Sequence, residues 1–156
     1  MENEEPWYAE WSIPALLRQA RYTYGKAMRA ALEAAGYDDI PANGLYIIGG
    51  LALDDERIPL RELVKQLGTT KQGAGQLVDT LVMRGYLSRA VDESDRRQLI
   101  VSLTERGRAA AEVQSQARDR IDSELIARIG EDDVRAARRA LGTLIEIRLE
   151  EAQPAE

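Results

Sequence analysis

The chain has 156 residues and a formal net charge of −6, and it contains neither Cys nor His. This excludes disulfides and thiolate metal sites, and it removes the commonest general base, the commonest metal ligand and the usual pH switch. No apolar run approaches the roughly 18 residues of a membrane span, and the acidic N-terminus has no signal-peptide pattern. We therefore expect a cytoplasmic protein with no metal, no cofactor and no membrane contact.

Charge is distributed unevenly along the chain. From Arg61 to Arg108 there are nine basic and six acidic residues, net +3, so the remainder carries −9. A locally basic segment on an acidic protein can bind phosphates, because salt confines the electrostatic field to about 10 Å. The overall acidity therefore does not exclude nucleic acid as a partner.

The first predicted elements are two helices. Residues 10–36 predict a long helix with apolar residues on two opposite sides, which indicates burial on both sides. A second helix is predicted from Pro41 to Leu53, where Gly49 and Gly50 indicate close packing against another helix. Residues 58–59 predict a short edge strand.

A helix-turn-helix is predicted next. One short helix over residues 60–67 ends at Gly68, and the next runs from Lys71 to about Arg84. The inward positions of this second helix follow the spacing i, i+3, i+4, i+7. They are Ala74, Leu77, Val78 and Leu81, opposite a face with Gln72, Gln76, Asp79 and Met83. On DNA, such a second helix lies in the major groove with its first residues at base edges.

The start of this helix supplies candidate DNA contacts. Thr70 and Lys71 are expected to meet phosphate at the helix N-terminus. Gln72 and Gln76 are candidate base readers, because an amide pairs bidentately with adenine. Gly75 between them permits close approach. For each glutamine, the alternative is an ordinary exposed side chain.

A hairpin over residues 86–104 follows directly and predicts the wing of a winged helix. Its second strand is expected to place Leu99, Val101 and Leu103 on a core face. The adjacent arginines of its polar tip, Arg96 and Arg97, fit a DNA minor groove. Asp95 lies two residues before Arg97 and is expected to hold that guanidinium through a two-bond fork.

Two long helices are predicted after the wing, the first over residues 105–129. The second starts near residue 131, extends to about residue 150 and frays over 151–156. Together with the helix over 10–36, they carry more apolar surface than a small three-helix unit needs. This favours a dimer over a monomeric bundle.

A series of short motifs crosses the helix-turn-helix and the hairpin. They are Leu67-Gly68-Thr69-Thr70-Lys71-Gln72, Leu77-Val78-Asp79-Thr80-Leu81, Arg84-Gly85-Tyr86-Leu87, Arg89, Asp92-x-x-Asp95-Arg96-Arg97 and Leu103-Thr104-x-x-Gly107. Together they resemble the MarR (multiple antibiotic resistance regulator) family of bacterial transcription factors. The likeness is densest between Leu60 and Arg108, and the flanking helices agree in length.

The resemblance implies a mainly α fold with a small β wing. It implies one domain over residues 1–156, with a winged helix-turn-helix lobe at 41–104 and dimerisation helices at 10–36 and 105–150. The implied protein is an obligate homodimer that binds a pseudo-palindromic DNA operator. By the same likeness Asp95 and Arg97 are the wing residues that act in DNA binding. Arg97 is a stronger candidate for this contact than Arg96. A basic residue is common in the family where Gln76 stands, so operator preference does not transfer.

The effector is expected to be a small aromatic or amphipathic molecule. Members of the family that sense peroxide use Cys and those that sense metals use His, and this chain resembles neither. The candidate pocket, where the first two helices meet the winged lobe, contains Trp11, Arg18, Tyr22 and Tyr46. Arg18 can bind an anionic group of the ligand. Phenolic acids are ligands of this kind in related members of the family. The alternative is that Trp11 and Tyr22 belong to the dimer core.

A ligand-released dimeric repressor is therefore the leading hypothesis. The second is a winged-helix module that binds a protein rather than DNA, which the overall acidity alone supports. An enzyme is the third, since the chain has no paired acid and base, no phosphate loop and no nucleophile–base set, and no catalytic residue is predicted.

Overall fold

The structure is a computed structural model that describes residues 5–151. The elements follow the order α1 (Ile13–Ala34), α2 (Gly44–Leu53), β1 (Arg57–Pro59), α3 (Leu60–Leu67), α4 (Lys71–Met83), β2 (Leu87–Val91), β3 (Leu99–Leu103), α5 (Glu105–Ile129) and α6 (Glu131–Glu151). The expected fold, mainly α with a small β wing in a winged helix-turn-helix, is confirmed. The chain divides into two compact units after Arg118.

Most predicted element bounds agree closely with the structure, and the largest differences lie at helix starts. α1 begins at Ile13 rather than at residue 10, because the side chain of Ser12 caps it by accepting a 3.4 Å hydrogen bond from the N–H of Ala15. α2 begins at Gly44, three residues after the proline predicted to start it. The predicted fraying of residues 152–156 lies outside the described residues.

The core of the first unit joins helices α1 to α5 to the small sheet. Its largest fully buried side chains are Tyr86, Leu32, Leu45, Ile48, Leu81, Leu87, Val78 and Val101. Three of the four inward positions predicted for α4 are buried, and Leu77 is half-buried against the same core. The core therefore fixes which face of α4 remains exposed.

The three strands are antiparallel in the order β1-β3-β2, so β3 is central. Ile58 lies opposite Val101 and Pro59 opposite Ile100, which places the short edge strand where it was predicted. The prediction for Leu99 is wrong, because this side chain is 41% exposed whereas Ile100 is buried. β1 ends at Pro59, so Leu99 pairs only with β2 and has no strand on its other side.

Close packing at α2 involves only one of the two predicted glycines. A Cβ at Gly49 would lie 2.3 Å from Nε2 of Gln114 in α5, whereas a Cβ at Gly50 would meet nothing within 4 Å. The buried Gln114 donates a 2.9 Å hydrogen bond to the carbonyl oxygen of Leu45. Gly49 thus permits the close contact between α2 and the first half of α5.

Within residues 5–151, no helix combines the length and the apolar character needed to cross a membrane.

Candidate nucleic-acid interface

The turn between α3 and α4 is built by local sequence. Gly68 ends α3 with φ 61°, a left-handed conformation that glycine adopts without strain. Thr70 then caps α4, its Oγ1 accepting a 3.1 Å hydrogen bond from the N–H of Gly73. Three residues therefore separate the two helices, and Lys71 is the first residue of α4.

The candidate base readers lie on an open surface of α4. Lys71, Gln72 and Gln76 are exposed. Gly75 is half-buried, and a Cβ built on it would meet nothing within 4 Å. The first turns of α4 therefore present two amides and one ammonium group to solvent.

The wing tip is an ordered turn. The carboxylate of Asp92 accepts two 2.9 Å hydrogen bonds, from the N–H and the hydroxyl of Ser94, and these bonds hold the pKa of Asp92 below its ordinary value. The N–H of Asp92 donates to the carbonyl oxygen of Gln98, and the N–H of Gln98 donates to that of Asp95. Backbone and carboxylate bonds thus shape the loop that carries the two arginines.

Asp95 contacts Arg97, although not by the predicted fork. One carboxylate oxygen accepts hydrogen bonds from the N–H of Arg97 at 3.1 Å and from its Nε at 3.5 Å. The Arg97 side chain is 92% exposed. Asp95 therefore closes the turn and restrains one edge of the guanidinium, whose two Nη atoms stay available for a ligand.

A further ion pair links α4 to the wing. The Asp79 carboxylate accepts a hydrogen bond from Arg89 of β2. The helical spacing placed Asp79 on the exposed face of α4 without indicating this partner, which lies ten residues away in a different element. The pair restrains the wing relative to α4.

A groove of about 960 Å³ lies between the helix-turn-helix and the wing. It is lined by Leu60, Arg61, Val64, Lys65, Thr69, Lys71, Gly75, Asp95, Arg97, Gln98 and Leu99. The structure thus brings Lys71 and Gly75 of α4 together with Asp95 and Arg97 of the wing. Four of these side chains are cationic, and one is a carboxylate. Gln72, Gln76 and Arg96 do not line this groove.

Two of the cations in this groove were not predicted from the sequence. Arg61 and Lys65 are exposed and lie four residues apart on α3, so both occupy the same face of that helix. The only sequence feature that points to these two residues is their spacing between the inward-facing leucines of α3. The spacing predicts exposure but does not reveal what the exposed face meets.

The other end of α4 is held by a polar cluster around Asp39. Arg84, the residue that ends α4, donates to the carbonyl oxygen of Asp39, and the buried Tyr86 hydroxyl donates to its carboxylate. Arg106 of α5 donates to the same carboxylate at 3.2 Å and to the Tyr86 hydroxyl at 3.0 Å. Burial raises the pKa of Tyr86 to about 12, and the bond from Tyr86 lowers the pKa of Asp39.

The candidate ligand pocket is a cleft of about 600 Å³ between α1 and α2. Arg18, Tyr22 and Tyr46 line it, as three of the four residues predicted for a pocket. Trp11 is not among the lining residues and packs edge-on against Trp7, with ring centres 5.7 Å apart. Among the described residues, no cluster of three or more carboxylates offers a metal site.

Three solved structures resemble most of the chain in fold. FabT of Streptococcus pneumoniae, solved with DNA, has a TM-score of 0.72 and 19% identity over 90% of this chain and 97% of its own. MepR of S. aureus, also solved with DNA, has a TM-score of 0.69 and 20% identity over 88% and 98%. Wild-type MarR of E. coli has a TM-score of 0.63 and 22% identity over 85% and 96%.

No curated protein matches the chain. The model of the MarR family matches residues 39–98, which extend from the Asp39 cluster through the helix-turn-helix to the wing tip. The resemblance indicated by the motifs is thereby confirmed for residues 39–98, which match the model of the MarR family.

Proposed function

We propose that the chain is a dimeric, sequence-specific DNA-binding transcription regulator, and that it acts as a repressor released by a small organic ligand. One observation carries the DNA-binding part: the first residues of α4 and the arginine of the wing tip border one groove. Its lining residues carry four cations and one carboxylate on a chain whose net charge is −6. FabT and MepR, which share this fold, were both solved with DNA.

The groove suits a DNA duplex by its charge and by the groups on its two sides. Its α4 side carries the ammonium group of Lys71, which is expected at a phosphate. The amides of Gln72 and Gln76 lie on the exposed surface of the same helix outside the groove and are expected at base edges of the major groove. Its wing side carries Arg97, which suits the narrower and more negative minor groove. The Asp79–Arg89 pair restrains the wing relative to α4, and hydrogen bonds within the wing tip order its turn.

A mobility-shift titration with the DNA upstream of the chain's own gene, at two salt concentrations, tests this proposal. We expect saturable binding that resists unrelated competitor DNA and weakens as salt rises. Binding that unrelated DNA abolishes would reduce the claim to nonspecific affinity. No binding at low salt would favour the alternative module that binds a protein.

Lys71→Ala is expected to weaken binding to all DNA sequences alike. Its ammonium group at the helix start is placed for a phosphate contact, which carries no base information. Removal of one phosphate contact should reduce the slope of log K against log salt by about 0.9, or about two units for a symmetric dimer. Titrations at four salt concentrations measure the slope, and an unchanged slope would remove Lys71 from the interface.

Exposed apolar faces support the dimer, one in each unit. In the first unit, the N-terminal half of α1 exposes Ile13 and Leu17. In the second unit, three apolar side chains of α6 are exposed: Leu141 is 45% exposed, Leu144 43% and Ile145 53%. Their spacing i, i+3, i+4 places all three on one side of α6. Exposed apolar residues grouped on one side of a helix are typical of subunit interfaces.

Leu144→Glu is therefore expected to weaken the dimer by about 2 kcal/mol or more, because it removes an apolar contact and buries a charge. A two-fold interface contains each side chain twice, which doubles the effect. Sedimentation velocity over a range of protein concentrations measures the dissociation constant. Arg139→Glu on the same helix is the matched control, and equal behaviour of the two variants would place the interface elsewhere.

The cleft between α1 and α2 supports the ligand-release part. Its Arg29 donates hydrogen bonds to the carbonyl oxygens of Ile40 at 3.2 Å and Ala42 at 3.0 Å. The adjacent Asp39 is bound by Arg84, the residue that ends α4. The loop over 39–42 is thus held by the cleft on one side and by α4 on the other. A ligand that binds better to one arrangement of this loop shifts the population by its difference in affinity.

A further inference from the structure

The cleft between α1 and α2 is strongly cationic. Arg18, Arg21, Lys26 and Arg29 line it, and Glu33 is the one carboxylate among its described lining residues. The ion pairs formed within residues 5–151 involve other side chains, so none of these four cations is paired there. The cleft therefore concentrates a net charge of +3 on a chain whose overall charge is −6.

Two of the four cations are held by neutral partners. Arg29 donates to two backbone carbonyl oxygens, which leave its positive charge uncompensated. The guanidinium carbon of Arg21 lies 4.2 Å from the centre of the Tyr46 ring, a cation–π contact that also leaves the charge in place. Both groups are thus positioned before any ligand arrives, which reduces the entropy lost on binding.

The aromatic wall of the cleft is also pre-formed. Tyr46 is half-buried and packs against the core. Its hydroxyl lies so close to α1 that a Cβ at Gly25 would be 2.7 Å from it, so the glycine lets the ring lie this close to α1. Tyr22 and the buried Leu45 add apolar surface. A volume of about 600 Å³ suits a ligand of drug size.

These charges distinguish between classes of anion. A monocarboxylate brings one negative charge and leaves a net charge of about +2 in the cleft. A phosphate monoester brings nearly two charges at neutral pH, and its three terminal oxygens can accept hydrogen bonds from more cations at once than the two oxygens of a carboxylate. We propose that this cleft binds an organic phosphate, an aromatic compound with a phosphate or pyrophosphate group, in preference to an aromatic monocarboxylate. This inference rests on the proposed ligand-release function and names the class of its ligand.

Calorimetric titration of the 156-residue chain without DNA tests the inference with two matched probes, benzoate and phenyl phosphate. Phenyl phosphate is expected to bind at least about tenfold more tightly, the equivalent of one added charge-assisted contact. Arg18→Gln and Lys26→Gln should each weaken it by about tenfold and should affect benzoate less. Glu33→Gln, which removes the opposing charge from the same cleft, should tighten phenyl phosphate binding.

Lys71→Gln is the control for binding elsewhere, since it removes a cation from the DNA-binding groove. It should leave the affinity for phenyl phosphate unchanged. Equal affinities for the two probes would overturn the phosphate preference and leave the ligand-release proposal intact. Phenyl phosphate binding that Arg18→Gln and Lys26→Gln do not alter would overturn the site. Dissociation of the dimer in these two variants would make the cleft a subunit contact and would also overturn it.

Operator binding measured separately keeps the two proposals distinguishable. If the chain binds phenyl phosphate in the cleft but never binds DNA, the proposed site stands and the proposed regulator function is overturned. If the chain binds its operator but neither probe, the DNA-binding proposal stands and the proposed ligand class is overturned.

Discussion

Arg97→Ala is expected to weaken operator binding by about 1–3 kcal/mol for each wing, the usual cost of deleting a single side chain that reads a groove. A symmetric dimer has two wings, so the effect per dimer reaches about twice that figure. The reason is geometric: the side chain is 92% exposed and lines the groove, while Asp95 restrains its Nε edge. Fluorescence anisotropy with operator DNA at one fixed salt concentration measures the change.

Arg96→Ala is the matched control for this variant. It removes the same charge from the same exposed tip, but Arg96 does not line the groove. We expect the Arg96 variant to lose less than half as much binding free energy. Asp95→Ala should reproduce part of the Arg97 effect, because Arg97 then loses both its hydrogen bonds to that carboxylate. Equal losses for the two arginine variants would mean that the tip supplies charge without a specific contact.

The helix-turn-helix was predictable because its signals are local. Gly68 ends α3, Thr70 caps α4, and the spacing of Ala74, Val78 and Leu81 gives the buried face of α4. Each of these signals lies within a few residues of the feature it predicts. The hairpin was placed in the same way, since a polar run over residues 92–98 precedes the apolar strand that begins at Leu99.

Contacts between distant residues were not predictable from such signals. Tyr86 meets Asp39 across 47 positions, and nothing in the spacing of either residue indicates the other. Leu99 was misplaced because its burial depends on where β1 ends, a fact of sheet order rather than of alternation. Arg61 was missed for a related reason, because the groove it lines also requires the wing.

Gly107→Ala is expected to destabilise the fold by about 3 kcal/mol, the upper range for a side chain forced into a packed site. Gly107 lies in the first turn of α5, where a Cβ would be 2.2 Å from the carbonyl oxygen of Tyr86. That oxygen belongs to the backbone and cannot rotate away. It also accepts a hydrogen bond from the N–H of Thr104 at 3.1 Å, so moving it breaks this bond.

Gly50→Ala separates this clash from the ordinary effect of replacing a helical glycine. Gly50 lies inside α2, is exposed, and has nothing within 4 Å of a built Cβ. Alanine there should stabilise the chain by up to about 1 kcal/mol, because it restricts the unfolded backbone and favours the helix. Urea unfolding of both variants at one protein concentration compares them, since the stability of the proposed dimer would depend on concentration. If Gly107→Ala unfolds at the wild-type urea concentration, α5 can move away from Tyr86, and the Leu-Thr-x-x-Gly motif does not owe its glycine to this contact.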